Sequence, residues 1–114
     1  MQKDQPEKRG VQVSVEPGIC GFSCRIKARI KERWSVQLEI DSGCEQIQKF
    51  SALLKDITVK DLFLPISRNP LYISAEQAGC HPSCAVPVAA VKATEVAMGT
   101  ALPREVKIGF EVEK

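Results

Sequence analysis

The sequence has no apolar run near the ~20 residues that a bilayer-spanning helix requires. Its opening residues, MQKDQPEKRG, are polar where a secretory leader would be apolar. No membrane association is expected, and the expected compartment is the cytoplasm. An excess of one charge is also lacking: 16 Lys and Arg stand against 14 Asp and Glu, a net of +2. Nucleic-acid binding calls for a dominant basic surface, so no nucleic-acid partner is expected. His81 is the sole histidine, and no Ser/His/Asp set, paired-carboxylate site or phosphate-binding glycine loop is visible. Internal repeats, low-complexity stretches and linkers are absent too. Cysteine is what the chain has in quantity, five in 114 residues. In a reducing compartment clustered cysteines serve as ligands or redox groups more often than as structural bridges. An odd number cannot all pair within one chain.

A chain of 114 residues makes one domain, long enough to bury a core without help from a metal or disulfides. Residues 1–10 read as a solvated tail, so the domain spans 11–114. Val11 to Val15 alternates apolar and polar and stops at Pro17-Gly18: a first strand. Cys24 to Ile30 and Trp34 to Ile40 place apolar or thiol residues at even positions, which predicts a hairpin around the turn Lys31-Glu32-Arg33. Arg25, Lys27, Arg29 and Lys31 alternate on the other side, as the wet face of an antiparallel sheet does.

Ser42-Gly43-Cys44-Glu45 fits a capping box. Ile47, Phe50, Leu53, Leu54 and Ile57 follow at helical spacing. Thr58 to Asp61 gives a second box before a short helix through Phe63, ended by Pro65. Asn69-Pro70 opens a helix over 70–78, closed by Gly79. Cys84 to Met98 reads as a helix with Pro87 in its first turn, Gly99 as its stop, and an inner face of Val86, Ala89, Ala90, Val96 and Ala97. Val106, Ile108, Phe110 and Val112 alternate with Lys107, Glu111 and Glu113 and predict a last strand. The expected fold is α+β: an antiparallel sheet of about four strands, three N-terminal and one C-terminal, covered on one face by three to four helices.

This topology should bring the cysteines together. Shared parity pairs Ile30 with Trp34 or with Val36, and either choice sets Cys24 at the sheet end where Cys44 opens a helix. Cys20 lies on the loop feeding that strand. If the last strand pairs antiparallel to the middle one, the late helix starts at the same end and delivers Cys80 and Cys84. Helix N-termini at Cys44 and Cys84 would aim free N–H groups there and favour thiolate.

Cys20-Gly-Phe-Ser-Cys24 and Cys80-His-Pro-Ser-Cys84 share a Cys-x3-Cys spacing, and such spacers let both sulfurs reach one tetrahedral ion. The plainer alternatives are small buried hydrophobes or a redox disulfide within a pair. His81 and Asp41 are possible additional ligands, although a lone loop histidine or strand-end aspartate is more often merely exposed. Gly18, Gly21, Gly43 and Gly79 flank the cysteines, as tight bends around a site would require.

Through Pro17-Gly-Ile-Cys20-Gly-Phe, Asp41-Ser-Gly-Cys44 and Cys80-His-Pro-Ser-Cys84-Ala-Val-Pro the chain resembles an uncharacterised cysteine-rich α+β family of anaerobic bacteria and archaea. More distantly it is similar to the IscU/NifU-type iron–sulfur scaffolds, which carry cysteines at positions like Cys20 or Cys24, Cys44, and Cys80 or Cys84. Pro82-Ser83-Cys84 is similar to the Ser-Cys-Pro signature of the TSCPD domain. The chain departs from the scaffold pattern after Cys20, where Gly21 and Phe22 replace that family's aspartate, and in its second late cysteine. These likenesses imply metal or cluster binding. The expectation is a non-catalytic module holding an iron–sulfur cluster or zinc through four of Cys20, Cys24, Cys44, Cys80 and Cys84, with the fifth tuning or exchanging it. Its implied partner is a redox or cluster-acceptor protein. The alternatives are a thiol redox protein cycling a Cys-x3-Cys disulfide and a structural subunit.

Overall fold

A computed structural model describes residues 10–16, 18, 20–31 and 34–113. The expected tail therefore lies outside the described residues except for Gly10, and so do Pro17, Glu32 and Arg33 of the expected turns. Gly10 already belongs to the first strand, β1 (Gly10–Val15). It is followed by β2 (Cys24–Ile30) and β3 (Ser35–Ser42). Then come α1 (Glu45–Leu53), β4 (Ile57–Thr58), α2 (Val59–Leu62), a 3-10 turn at Ile66–Arg68, α3 (Pro70–Ala78) and α4 (Ala85–Ala97). The strands form one antiparallel sheet in the order β1-β2-β3-β4.

Parity sets the hairpin. Even residues of β2 and β3 point inward, so Ile26, Ala28, Val36 and Leu38 are buried, and the register pairs Ile30 with Val36 and Cys24 with Ser42. On the wet face, Arg25 opposes Asp41 and Lys27 opposes Glu39. The basic alternation is thus one half of a cross-strand charge ladder. Helices cover the inner face: α1 packs on β3 and α3, and α4 packs on β1 and β2. The core between the layers centres on Phe50, Ile26, Ile57, Leu71, Val36, Val86 and Thr94. Thr94 remains satisfied by donating its hydroxyl to the Ala90 carbonyl at 2.8 Å.

Four expectations need correction. Trp34 is 63% exposed rather than buried, because it sits before β3 in a turn with φ of 64°, where its side chain leaves the sheet's parity. Ile57 does not extend α1. The helix stops at Leu53, and Ile57, a β-branched residue, pairs with Val36 in β4 and is buried there. The box at Ser42 does not form. Cys44 is the N-cap residue, and Ser42 instead accepts from the Cys44 N–H at 3.1 Å through Oγ and from Gln48 Nε2 at 3.0 Å through its carbonyl. Finally, residues 101–113 form neither helix nor strand, and the fourth strand is β4. The middle strand β2 already has β1 on one side and β3 on the other, which leaves no slot for a C-terminal strand beside it.

Asn69 ties the α2–α3 connection together. Its buried amide donates to the carbonyls of Asp61, Leu62 and Leu64 at 3.1, 3.2 and 3.3 Å, while Oδ1 caps α3 by accepting from the Leu71 N–H at 3.0 Å. Asn69→Ala removes the cap and strands buried carbonyls. It should cost about 2–3 kcal/mol in urea unfolding, with Asn69→Asp, which keeps only the cap, in between. A loss under about 0.5 kcal/mol, typical of surface changes, would refute this role.

Candidate thiol centre

Each cysteine is placed by local backbone chemistry. Cys24 begins β2 and faces inward, only 5% exposed. Cys44 is held by the Ser42 and Gln48 bonds at the β3–α1 junction, and its thiol donates to Gln46 Oε1 at 3.3 Å. Gly43 leaves room there for the Phe22 ring, since a β-carbon at that position would lie 3.3 Å from it.

Cys80 is fixed to the end of α3. Gly79 adopts a left-handed φ of 79°, its N–H bonds the Glu76 carbonyl, and the Cys80 N–H bonds the Ala75 carbonyl, each at 3.0 Å. This is the Schellman pattern. The next four residues make a turn with Pro82 second, closed by the Cys84 N–H on the His81 carbonyl at 3.0 Å. Cys84 then serves as the N-cap residue of α4. Two tight devices in a row explain why a Cys-x3-Cys segment folds both ends back toward one place.

Four of the five thiols share that place. The charge of Cys84 acts on both Cys24 and Cys80, and so does that of Cys44. α4 packs on β1 and β2, and Cys84 before its first turn is close enough to Cys24 at the start of β2 for its charge to act there. Cys20 stands apart. It is exposed on a loop whose Gly21 N–H turns back onto the Gly18 carbonyl, and it is not among the charges acting on Cys24 or Cys80. All five cysteines are free. Among the described residues, no group of three or more His, Cys, Asp or Glu side chains is placed so that it could hold a metal ion. The thiols are neighbours without being a finished chelate.

Electrostatics at Cys24 and Cys80 work against the thiolate form. Burial, then the charges of Cys84, Asp41 and Cys44, push the Cys24 thiol up to about 11 from 9.0. Burial, then Cys84 and Cys44, also raise Cys80. Desolvation and repulsion between neighbouring thiolates thus disfavour ionisation at these two thiols. The helix ends are nonetheless available, since neither Cys44 nor Cys84 caps its helix with its side chain.

The raised pKa has a consequence for the metal-free protein. Below the unfolded value near 9 both states hold the Cys24 proton, and stability does not depend on it. As pH rises from about 9 to about 11 the unfolded chain ionises first, so stability falls. The expected loss is up to about 2 kcal/mol, from ~1.4 kcal/mol per unit reduced for solvent screening. Urea titrations across that range should show the fall in the native chain and a smaller one in Cys24→Ala. Equal slopes in both would contradict it.

Two clefts reach the centre. One, of about 330 Å³, is lined by Ser14, Glu16, Ser23, Cys24, Arg25 and Asp41 among others. The second, of about 270 Å³, includes Tyr72, Glu76, Cys80, His81 and Cys84. Asp41 is thus beside Cys24 and His81 beside Cys80 and Cys84, both exposed to solvent. Gln46, Glu16 and Glu76 went unsingled by sequence reasoning. Only Gln46, two residues from Cys44, carried any local signal.

No helix among the described residues is long and apolar enough to cross a membrane. Residues 11–110 match a family of unknown function (DUF6951), and the chain belongs to that family. No curated protein and no solved structure matches it.

Proposed function

We propose that this family member is a non-catalytic module that binds one thiophilic metal centre, Zn²⁺ or an iron–sulfur cluster, through Cys24, Cys44, Cys80 and Cys84. The single observation that supports the reading is that the charges of Cys84 and Cys44 act on both Cys24 and Cys80, which relates four thiols from three distant segments electrostatically. An all-thiol donor set suits zinc and iron–sulfur centres and discriminates against magnesium or calcium. A cation reverses the local pKa logic by replacing thiol–thiol repulsion with attraction, and a coordinating thiol is deprotonated outright. Two helix starts without side-chain caps favour the net negative charge of a thiolate-rich centre. The two clefts supply entry paths.

Cys20, exposed and outlying, fits a transfer or exchange role, and the partner class is then a redox or cluster-acceptor protein in a reducing compartment such as the cytoplasm. The resemblance of the motifs around Cys20, Cys44 and Cys84 to IscU/NifU-type scaffolds and to the TSCPD domain supports the same reading. A second reading is supported by the turn that joins Cys80 to Cys84: a disulfide between them, formed by loss of two protons and two electrons to a thiol-disulfide oxidant. The raised pKa of Cys80 disfavours it as the attacking thiolate.

Anaerobic purification followed by metal analysis and visible absorbance tests the reading. It predicts a single metal centre per chain, coloured if it is iron–sulfur. A metal-free protein that refuses both added zinc and reconstituted iron and sulfide, yet cycles a Cys80–Cys84 disulfide, would replace the first reading with the second.

A further inference from the structure

The C-terminal segment beyond α4 has the pattern of a strand and the surroundings of none. Val106, Ile108, Phe110 and Val112 are 57, 78, 88 and 86% exposed, an apolar stripe with nothing packed on it among the described residues. Such a stripe is rare on a lone soluble domain and marks an interaction surface. The sheet has a matching vacancy. β1 is an edge strand open along its six residues among those described, and its inward Val11 and Val13 are only half-buried against the core. The opposite edge is partly closed, since β4 covers β3 at Ser35 and Val36.

We propose that this arm pairs antiparallel with β1 of a second copy of the chain, each copy lending its arm to the other. Direction argues for a second copy over the arm's own sheet. β1 runs toward the thiol end, because Val15 pairs with Cys24, whereas α4 begins just after Cys84, whose charge acts on Cys24, and packs back along β1 and β2. An arm turning straight back from α4 would lie parallel to its own β1. The two parallel registers that set three arm side chains against Val11, Val13 and Val15 bring Glu16 beside Glu111 or Glu113. Like charges side by side on a sheet are unfavourable.

An antiparallel strand removes the conflict. In one register Ile108 meets Val15, Phe110 meets Val13 and Val112 meets Val11 on the core side, while on the wet side Lys107 faces Glu16, Gly109 faces Ser14 and Glu111 faces Gln12. Each apolar residue finds a valine and the sole arm lysine in this stretch finds a carboxylate. Exchange of arms about a two-fold axis uses the same contact twice and closes the assembly.

The test is the mass and amide exchange of the full chain at micromolar concentration. The arrangement predicts the mass of two chains, with amides of residues 106–112 and of β1 protected from exchange. Phe110→Lys, at a position too exposed to disturb folding, should give a monomer that has lost that protection. Glu16→Lys should weaken the dimer about fivefold and Lys107→Glu in the same chain should restore it. A monomeric native chain would overturn the proposal. So would a dimer indifferent to Phe110→Lys, or arm protection that persists in a monomer, which would mean docking on the arm's own sheet.

Discussion

Cys84→Ser is expected to weaken Zn²⁺ binding about 100-fold or more, with Cys20→Ser changing it less than about threefold. Structural zinc sites contribute roughly 10–16 kcal/mol of apparent binding free energy. One thiolate of four is then worth about 3 kcal/mol, or roughly two decades of affinity. Cys84 is the strongest choice among the four because its charge ranks first among the charges acting on both Cys24 and Cys80. The metal-free variant offers a second readout. With the Cys84 charge gone, the pKa values of Cys24 and Cys80 should both fall, and alkylation at fixed alkaline pH should quicken at each. Trp34→Phe, at the sheet end remote from the thiols, should leave metal occupancy unchanged. Native affinity in Cys84→Ser would remove this residue from the centre.

Phe50→Ala should destabilise the metal-free chain by about 3–5 kcal/mol, the usual cost of emptying a fully buried aromatic site. Phe50 is wholly buried on α1, which packs between β3 and α3 and carries Cys44 at its start. Against a total of roughly 5–15 kcal/mol, that is a large share. Metal at about a thousand times its Kd returns ~4 kcal/mol through mass action. Zinc should therefore raise the melting temperature of Phe50→Ala by on the order of 15 °C. The same addition should do little for Phe50→Ala combined with Cys84→Ser. Equal rescue of both would mean that zinc stabilises the protein elsewhere.

The elements legible in the sequence were those with complete local signals. α3 was read to the residue because Asn69, Pro70 and Gly79 each perform the backbone task their chemistry suits. α2 followed from the Thr58–Asp61 box, whose two reciprocal bonds are present at 3.1 and 3.2 Å. Parity placed Cys24 and Cys44 at one end of the hairpin, where the register leaves them. α4's inner face was read in part: Val86, Ala90 and Ala97 are buried as expected, whereas Ala89 and Val96 are half-buried and Ala93 and Thr94 fill the stripe.

Other features depend on distant partners that no local pattern names. Alternation in residues 106–112 states which side chains would share a face and says nothing about whether an edge is free. The edge assumed, beside β2, is occupied on both sides. Cys84 comes near Cys24 without the expected returning strand, with α4 packed on β1 and β2. Ile57 satisfied a helical period and a β-branched propensity at once, and pairing with Val36 decided between them. The outward turn of Cys20 depends on the backbone of Gly18 and Gly21, both at positive φ, which glycine permits without requiring.

The central claim is that four thiols from three segments act as one ligand set, and a Co²⁺ titration of the reduced chain tests it most directly. Sulfur-to-cobalt charge-transfer absorption rises with the number of thiolates bound. The account predicts saturation at a single equivalent in the native chain and in Cys20→Ser, with a weaker band in each of Cys24→Ser, Cys44→Ser, Cys80→Ser and Cys84→Ser. A band untouched by any of those four substitutions, or no thiolate band at all, would contradict it.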